Sequence, residues 1–378
     1  MKATVDFDVL IVGGGLAGLV NAIHLSKSSK KVLLIEKNEY PKHKVCGEYI
    51  SNEVLPYLQS LDVDPFKLGA QKINKFLLST PQNKTIEADL PLGGFGISRY
   101  TLDFSLAKKA EENGVKILQE TVVNIQFCND EFKVTTKNNQ KFTASIVIGA
   151  YGKRANLDVK LNRGFIKKKS PFLAVKTHVK GSFPNELVAL HNFEGGYCGV
   201  SKVENNMVNV CYITDFKTFK KYKDIAEFQE EVLFKNAFLK TLFESSTPQF
   251  EFPLTIGQIS FAKKKPVEKH ILMCGDTAGM IHPLCGNGMS MAIRGAQLAS
   301  NLIIDYLNGK IETRKMLEQQ YSKSWNKEFK SRLRTGYLVA SLFRMKHFSA
   351  FLIVGLKEFP ALLSNIIKRT HGKPMLSS

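Results

Sequence analysis

The sequence predicts an α/β protein: a Rossmann-like dinucleotide-binding domain, an inserted antiparallel β-sheet substrate domain and a helical C-terminal tail. Three observations predict it. An apolar run, Phe7–Val12, enters Gly13-Gly14-Gly15-Leu16-Ala17-Gly18 and then apolar residues at helical spacing. Residues 170–262 carry short strand patterns between loop signals, with one helical stretch near 217–240. From Ile311 onward the pattern is helical and basic.

Each element follows in order. Phe7–Val12 is apolar throughout, as a strand buried on both faces requires. Leu16, Leu19, Val20, Ile23 and Leu25 recur at helical spacing. After a polar break from Lys27 to Lys31, Val32–Ile35 is a second apolar strand ending at Glu36. Residues 40–60 read as a loop and then a helix. Thr101–Asn113 reads as a helix stopped by Gly114. Val115–Leu118, Thr121–Phe127, Phe132–Thr136 and Phe142–Ile148 read as short strands. Ile271–Cys274 is a buried strand, Gly275–Pro283 a loop and Gly288–Leu307 a long helix. A chain of 378 residues has room for two or three domains. The expected division gives 1–75, 98–165 and 264–310 to the dinucleotide domain. It gives 76–97 and 166–263 to the β-rich substrate domain, and 311–378 to the helical region.

The glycine turn carries the strongest chemical signal. Gly13 permits the tight turn. Gly15 lets backbone approach a pyrophosphate, and Gly18 lets helix and strand pack closely. The helix N-terminus turns unpaired N–H groups and partial positive charge toward the phosphates. Glu36 stands where a carboxylate accepts hydrogen bonds from ribose hydroxyls. Leu16, Ala17 and Lys37 flank these positions and are counted with the cofactor site. The turn by itself does not choose between FAD and a nicotinamide dinucleotide.

A second glycine cluster makes that choice. Gly275-Asp276-Thr277-Ala278-Gly279 is followed by Pro283 and by Gly286-Asn287-Gly288-Met289. The stretch resembles the second flavin fingerprint of the FAD-dependent monooxygenase and geranylgeranyl reductase superfamily, which includes the hydroxybenzoate hydroxylase-like enzymes. The resemblance covers most of residues 1–310. It implies non-covalent FAD, with Asp276 on the ribityl chain and the Gly286–Met289 backbone facing the N1/C2=O edge of the isoalloxazine. Gly275, Pro283, Gly286, Gly288 and Met289 belong to that set. Negative charge on a reduced flavin at this edge suits a helix N-terminus.

The same resemblance implies that Arg99 contacts the cofactor's phosphate region and that the Val123 backbone meets the adenine. As bare residues these are a surface cation and a core valine. Lys44-Val45-Cys46-Gly47-Glu48-Tyr49-Ile50-Ser51 resembles the Cys-Gly-Asp/Glu segment of the reductases, which lies near the flavin. This puts Cys46 and Gly47 at the cofactor and makes the Cys46 thiol a candidate catalytic acid. An inert buried cysteine is an equal reading. Gly195-Gly196-Tyr197 is similar to the start of the reductases' substrate segment, so Tyr197 is a candidate substrate contact. Gly199 and Ser201 then stand where that family has large rings. A departure from the monooxygenases is Tyr151, which replaces an acid in Ala150-Tyr151-Gly152-Lys153-Arg154. With Trp325 as the single tryptophan, the Trp-x-Trp element of tryptophan-type halogenases cannot exist.

No second strand–GxGxxG–helix unit occurs; Gly93-Gly94-Phe95-Gly96 has no helix immediately after it. NAD(P)H is therefore expected only as a transient electron donor. The six cysteines form no C-x-x-C pair, so no metal site is expected. No export-signal pattern is read in the sequence, so a cytoplasmic protein with reduced thiols is expected. The net charge of +19 fits a lysine-rich solubilising surface, an anionic membrane or an anionic cofactor. Residues 310–378 hold fourteen Lys/Arg and four Glu alongside an apolar series from Tyr337 and Leu338 to Ile366 and Ile367. Such a tail docks on the core, covers a lipophilic substrate or lies peripherally on the inner face of a membrane. Nucleic acid is not expected as a partner. His24 and His282 are candidate bases by type only. The function expected is an FAD-dependent oxidoreductase for a lipophilic or aromatic small molecule, with monooxygenase-type hydroxylation using NAD(P)H ranked first. The alternatives are geranylgeranyl reductase-like reduction of C=C bonds in a prenyl or lipid substrate, and a non-catalytic flavin-binding protein of the membrane surface.

Overall fold

The computed structural model describes residues 5–167, 170–257, 259–343, 367 and 371–375. The N-terminal unit is β1 (Phe7–Val12), α1 (Leu16–Lys27) and β2 (Val32–Glu36). The two strands are parallel, with Val9 opposite Val32 and Ile11 opposite Leu34. Val9, Leu10, Ile11, Leu33 and Leu34 have no exposure, which is why this run carries no alternation. There follow β3 (Tyr49–Ser51), α2 (Leu55–Ser60), β4 (Gln71–Ser79), β5 (Thr85–Gly96) and α3 (Arg99–Glu112). Then come β6 (Lys116–Gln119), β7 (Val122–Cys128), β8 (Glu131–Thr136), β9 (Lys141–Gly149) and α4 (Asn156–Lys160). α3 starts two residues before the predicted helix, because the Ser98 hydroxyl accepts the Thr101 N–H at 3.0 Å and caps it.

The β-rich insert comprises β10 (Phe172–Lys180), β11 (Leu187–Phe193), β12 (Gly196–Lys202) and β13 (Met207–Asp215). Three short helices follow: α5 (Phe216–Phe219), α6 (Ile225–Glu231) and α7 (Ala237–Glu244). The strands β14 (Thr247–Pro248), β15 (Leu254–Ile256), β16 (Val267–Glu268) and β17 (Ile271–Met273) lead to α8 (Gly288–Leu307) and α9 (Arg314–Phe343).

Two sheets organise the described residues. The first has the order β16-β17-β9-β1-β2-β6, with β8 joined to β9 and β7 to β8. β1 runs parallel to both β2 and β9, and β9 parallel to β17. The second has the order β14-β10-β13-β12-β11-β4-β5-β3, with β15 on β10. The division drawn from sequence at 75/76 falls inside β4, and β3 also belongs to the second sheet. Lys72, Asn74 and Lys75 interrupt the apolar alternation at the start of β4 and hide it. Gly93–Gly96 is the end of β5 in the second sheet, and α3 begins three residues later at Arg99.

The described part of the tail docks on the first domain. Leu317, Tyr321, Trp325 and Phe329 recur every four residues on α9 and are buried. The Tyr321 hydroxyl donates to the Met273 carbonyl at 2.6 Å. Tyr337 and Leu338 are exposed. Phe348–Leu356 and the apolar series to Ile366 lie outside the described residues. Among the described residues, no helix is long and apolar enough to cross a membrane. All six cysteines are free.

Candidate functional site

A cleft of about 780 Å³ opens between the two sheets. One wall is the first domain's own backbone. Gly15, Leu16 and Ala17 line it at the head of α1, and Gly286, Gly288 and Met289 at the head of α8. No side chain caps the first turn of either helix. Two positive helix ends with N–H groups free of side-chain caps therefore converge on one cavity, which suits an elongated anionic ligand. Gly15 shows the cradle directly. A Cβ there would meet nothing nearer than Arg99 Nη2 at 3.6 Å, so the space above it is open.

Glu36, Lys37, Cys46, Gly47, Arg99, Gly275, Asp276 and Pro283 also line the cleft. Three sequence-predicted residues do not. Gly13, at φ +105°, has the Ala150 carbonyl where a side chain would go, and a Cβ on Gly18 would overlap the Gly13 carbonyl. Both shape the turn from behind. Val123 lies half-buried on β7, away from the cleft lining.

The charged groups are held in defined positions. Glu36 accepts the Gly14 N–H at 2.7 Å and the Asn38 N–H and amide at 3.0 and 2.6 Å. Its two oxygens keep lone pairs for further donors. The Tyr40 hydroxyl donates to the Gly14 carbonyl at 2.6 Å and braces the turn. Arg99 makes a two-pronged contact with Asp103, at 2.7 Å for both Nε and Nη2, and Lys44 reaches the same carboxylate at 2.8 Å. Burial would raise the Asp103 carboxyl, but Arg99 and Lys44 outweigh it and hold it below its ordinary value. Lys264 donates to the carbonyls of Asp276 (2.6 Å) and Lys153 (3.0 Å), which fixes the Asp276 loop. Burial brings this lysine down to about 8. Sequence reasoning missed Tyr40, Asp103 and Lys264: Tyr40 meets Gly14, Asp103 meets Lys44 and Lys264 meets Lys153 across 26, 59 and 111 residues, and the local Arg99–Asp103 spacing reads as an ordinary helix-face pair.

The opposite wall belongs to the second sheet and is apolar. Phe76, Leu78, Val188, Leu190, Ile213 and Ile256 line it, with Met280 and Leu284 below. Tyr197 also lines it; burial pushes its phenol well up, so it stays protonated. Gly199 leaves room there, since a Cβ would meet only the Cys211 carbonyl and Leu190 at 3.7 Å. Tyr151 lines the cleft, with its hydroxyl 3.6 Å from Met273 Sδ. Cys46 sits where the walls meet, with Sγ 3.5 Å from Met289 Sδ at the head of α8. His24 is buried and bonds the Tyr57 hydroxyl at 2.8 Å, a structural contact. His282 is buried and caps the turn at 283–285. No group of three or more His, Cys, Asp or Glu among the described residues is arranged to hold a metal ion.

The pattern of the family described as "FAD binding domain" matches residues 6–324. Conditioned medium factor receptor 1 of Dictyostelium discoideum is 24% identical over 355 residues, covering 85% of this chain and 68% of the relative. Digeranylgeranylglycerophospholipid reductase 1 of Methanosphaera stadtmanae is 24% identical over 332 residues, covering 84% of this chain and 79% of the relative. Among solved structures, a flavin-dependent brominase superimposes with a TM-score of 0.80 over 96% of this chain and 93% of its own, at 17% identity. That last likeness is one of fold.

Proposed function

The chain belongs to the FAD binding domain family and is an FAD-dependent oxidoreductase, and we propose that it saturates carbon–carbon double bonds in a lipophilic substrate. The observation that carries this is the Cys46 thiol beside the head of α8, at the junction of the backbone wall and the apolar wall. A proton donor is needed where a hydride acceptor would lie against the apolar wall. The named reductase relative supports the same direction, because its printed substrate is a lipid with geranylgeranyl chains. Hydroxylation, ranked first from sequence, has no comparable group in its favour here, and Tyr151 counts against it.

The residues divide the work as follows. Gly15–Ala17 and the α1 N-terminus would hold the pyrophosphate, Glu36 and Lys37 the ribose end, and Arg99 the phosphate region. Asp276 and Gly275 would hold the ribityl chain, with Pro283, Gly286, Gly288 and Met289 at the ring edge. When bound, FAD would supply two-electron chemistry, hydride transfer to one alkene carbon, with a transient NAD(P)H as the source of the reducing equivalents. Cys46 Sγ–H donates a proton to the other carbon, and solvent restores it. One C=C bond thus becomes CH–CH. The apolar wall and Tyr197 orient the chain and exclude water.

The test is anaerobic reduction of the FAD-loaded protein followed by mixing with a prenyl lipid, or with oxygen alone, while flavin absorbance is followed. Rapid reoxidation by the lipid without oxygen is expected. Reoxidation by oxygen only, with an oxygen atom from labelled O₂ recovered in the lipid, would establish hydroxylation instead.

A further inference from the structure

Cys46 lies on a segment, Lys44–Glu48, that belongs to neither sheet; β3 begins only at Tyr49. Side chains from β10 and β13 of the second sheet nevertheless fasten it at three points. Lys176 on β10 donates to the Lys44 carbonyl at 3.2 Å and pairs with the Glu48 carboxylate. His178, two residues along the same face of β10, places Nε2 2.7 Å from the other Glu48 oxygen. Asn209 on β13, opposite His178 in the ladder, donates its amide to the Cys46 carbonyl at 3.3 Å. Glu48 also accepts the Arg99 backbone N–H at 2.8 Å, at the start of α3.

This arrangement is costly. The Glu48 and Lys176 side chains have no exposure at all. Desolvation roughly cancels the attraction in such a pair, and apolar residues of equal volume would serve the core as well. Glu48 also sits at φ +54°, a left-handed conformation that a side chain disfavours. Both costs fall at one residue, two positions from the thiol. Backbone and charge strain concentrated in this way marks a segment whose geometry is over-determined by its surroundings. Burial would raise the Glu48 carboxyl, but Lys176 and His178 outweigh it and hold it below its ordinary value, so it is ionised at neutral pH.

We propose that Glu48, Lys176, His178 and Asn209 are positioning residues that lock the Lys44–Glu48 segment so that the Cys46 thiol is presented to the cleft beside Met289. The thiol's chemical role rests on the reductase proposal; the lock itself does not. The lock ties three bodies together: the thiol segment, the substrate sheet through β10 and β13, and the cofactor domain through the first turn of α3.

The test compares wild type with Glu48→Gln/Lys176→Met, a pair of changes that leaves no buried charge alone. Cys46 alkylation by iodoacetamide is followed by peptide mass spectrometry in flavin-free and FAD-loaded protein, with exposed Cys128 as the internal reference. The double variant is expected to alkylate Cys46 about tenfold faster, with Cys128 unchanged. Leu239→Ala, a cavity in the core of the second sheet away from the segment, is expected to lower the unfolding temperature and leave the Cys46 rate alone. A Cys46 rate unchanged or slowed in the double variant, or raised equally by Leu239→Ala, overturns the proposal. If the double variant does not fold, Asn209→Ala takes its place, with a rise of about threefold expected and no rise overturning it. A protein that never loads FAD would defeat the functional proposal while the flavin-free comparison still decides the lock.

Discussion

The two walls of the cleft are built on opposite principles. The wall of the first domain is defined by where side chains are missing, at Gly15, Gly275, Gly286 and Gly288. The wall of the second sheet is defined by the size of the side chains it presents, from Phe76 and Leu78 to Val188 and Leu190. A wall of bare backbone can admit a fixed ligand and tolerates little change. A wall of alternating strand residues can be recut without loss of fold, because each residue projects from a ladder that its backbone already holds. On the proposed function, the first wall would hold the cofactor and the second would meet the substrate.

The sharpest way to break that contrast lies within one turn. Gly18→Ala overlaps the Gly13 carbonyl and is expected to cost more than about 4 kcal/mol, seen as loss of folded protein in denaturant titration. Gly15→Ala points into open space beside Arg99. It should leave the flavin-free unfolding temperature within about 2 °C while weakening FAD binding by about a hundredfold, measured by fluorescence quenching. If Gly15→Ala bound FAD like wild type, the backbone wall would not be the cofactor cradle. Next in size, Cys46→Ala should slow lipid saturation by about a hundredfold or more, with FAD affinity unchanged.

Two buried histidines test whether the regions also melt together. His24 lies in the first domain and His191 in the second sheet, where it bonds the Ser79 hydroxyl at 2.8 Å. Burial, helped by Lys27, brings His24 down to about 4, and burial alone does the same for His191, against an ordinary value of 6.5. A depressed value means the unfolded chain takes up the proton first. Their stabilisation is thus complete above pH 6.5 and is lost as the pH falls toward 4, by about 2 kcal/mol each at pH 5. Thermal unfolding between pH 7 and 5 should show this loss, reduced by about 2 kcal/mol in His191→Asn. Equal acid sensitivity in wild type and variant would contradict it. The smallest effect belongs to the apolar wall. Gly199→Leu should raise the KM for a lipid substrate about tenfold by filling space beside Leu190, with FAD affinity unchanged.

The same contrast explains what the sequence made legible. The βαβ turn could be read because its apolar run, glycine spacing and terminal Glu36 all lie within thirty residues. The second glycine cluster was equally local, and residues of both, Gly15 with Gly275, Gly286 and Gly288, line one cleft. The apolar wall was not legible, since it draws alternate residues from strands whose order, β10-β13-β12-β11-β4-β5, is not the order of the chain. The fastening of Cys46 was hidden for the same reason: Glu48 meets Lys176 and His178 across 128 and 130 residues. Val123 shows the reverse case, a position carried over by resemblance that does not line the cleft.

The measurement that bears most directly on the central claim is a single anaerobic turnover of the reduced, FAD-loaded protein with a prenyl lipid, read by mass spectrometry of the lipid. The expected product has gained two hydrogen atoms at one double bond, and Cys46→Ala protein forms it far more slowly. A lipid that stays unchanged without oxygen, and acquires an oxygen atom once O₂ is admitted, would contradict the assignment as a reductase.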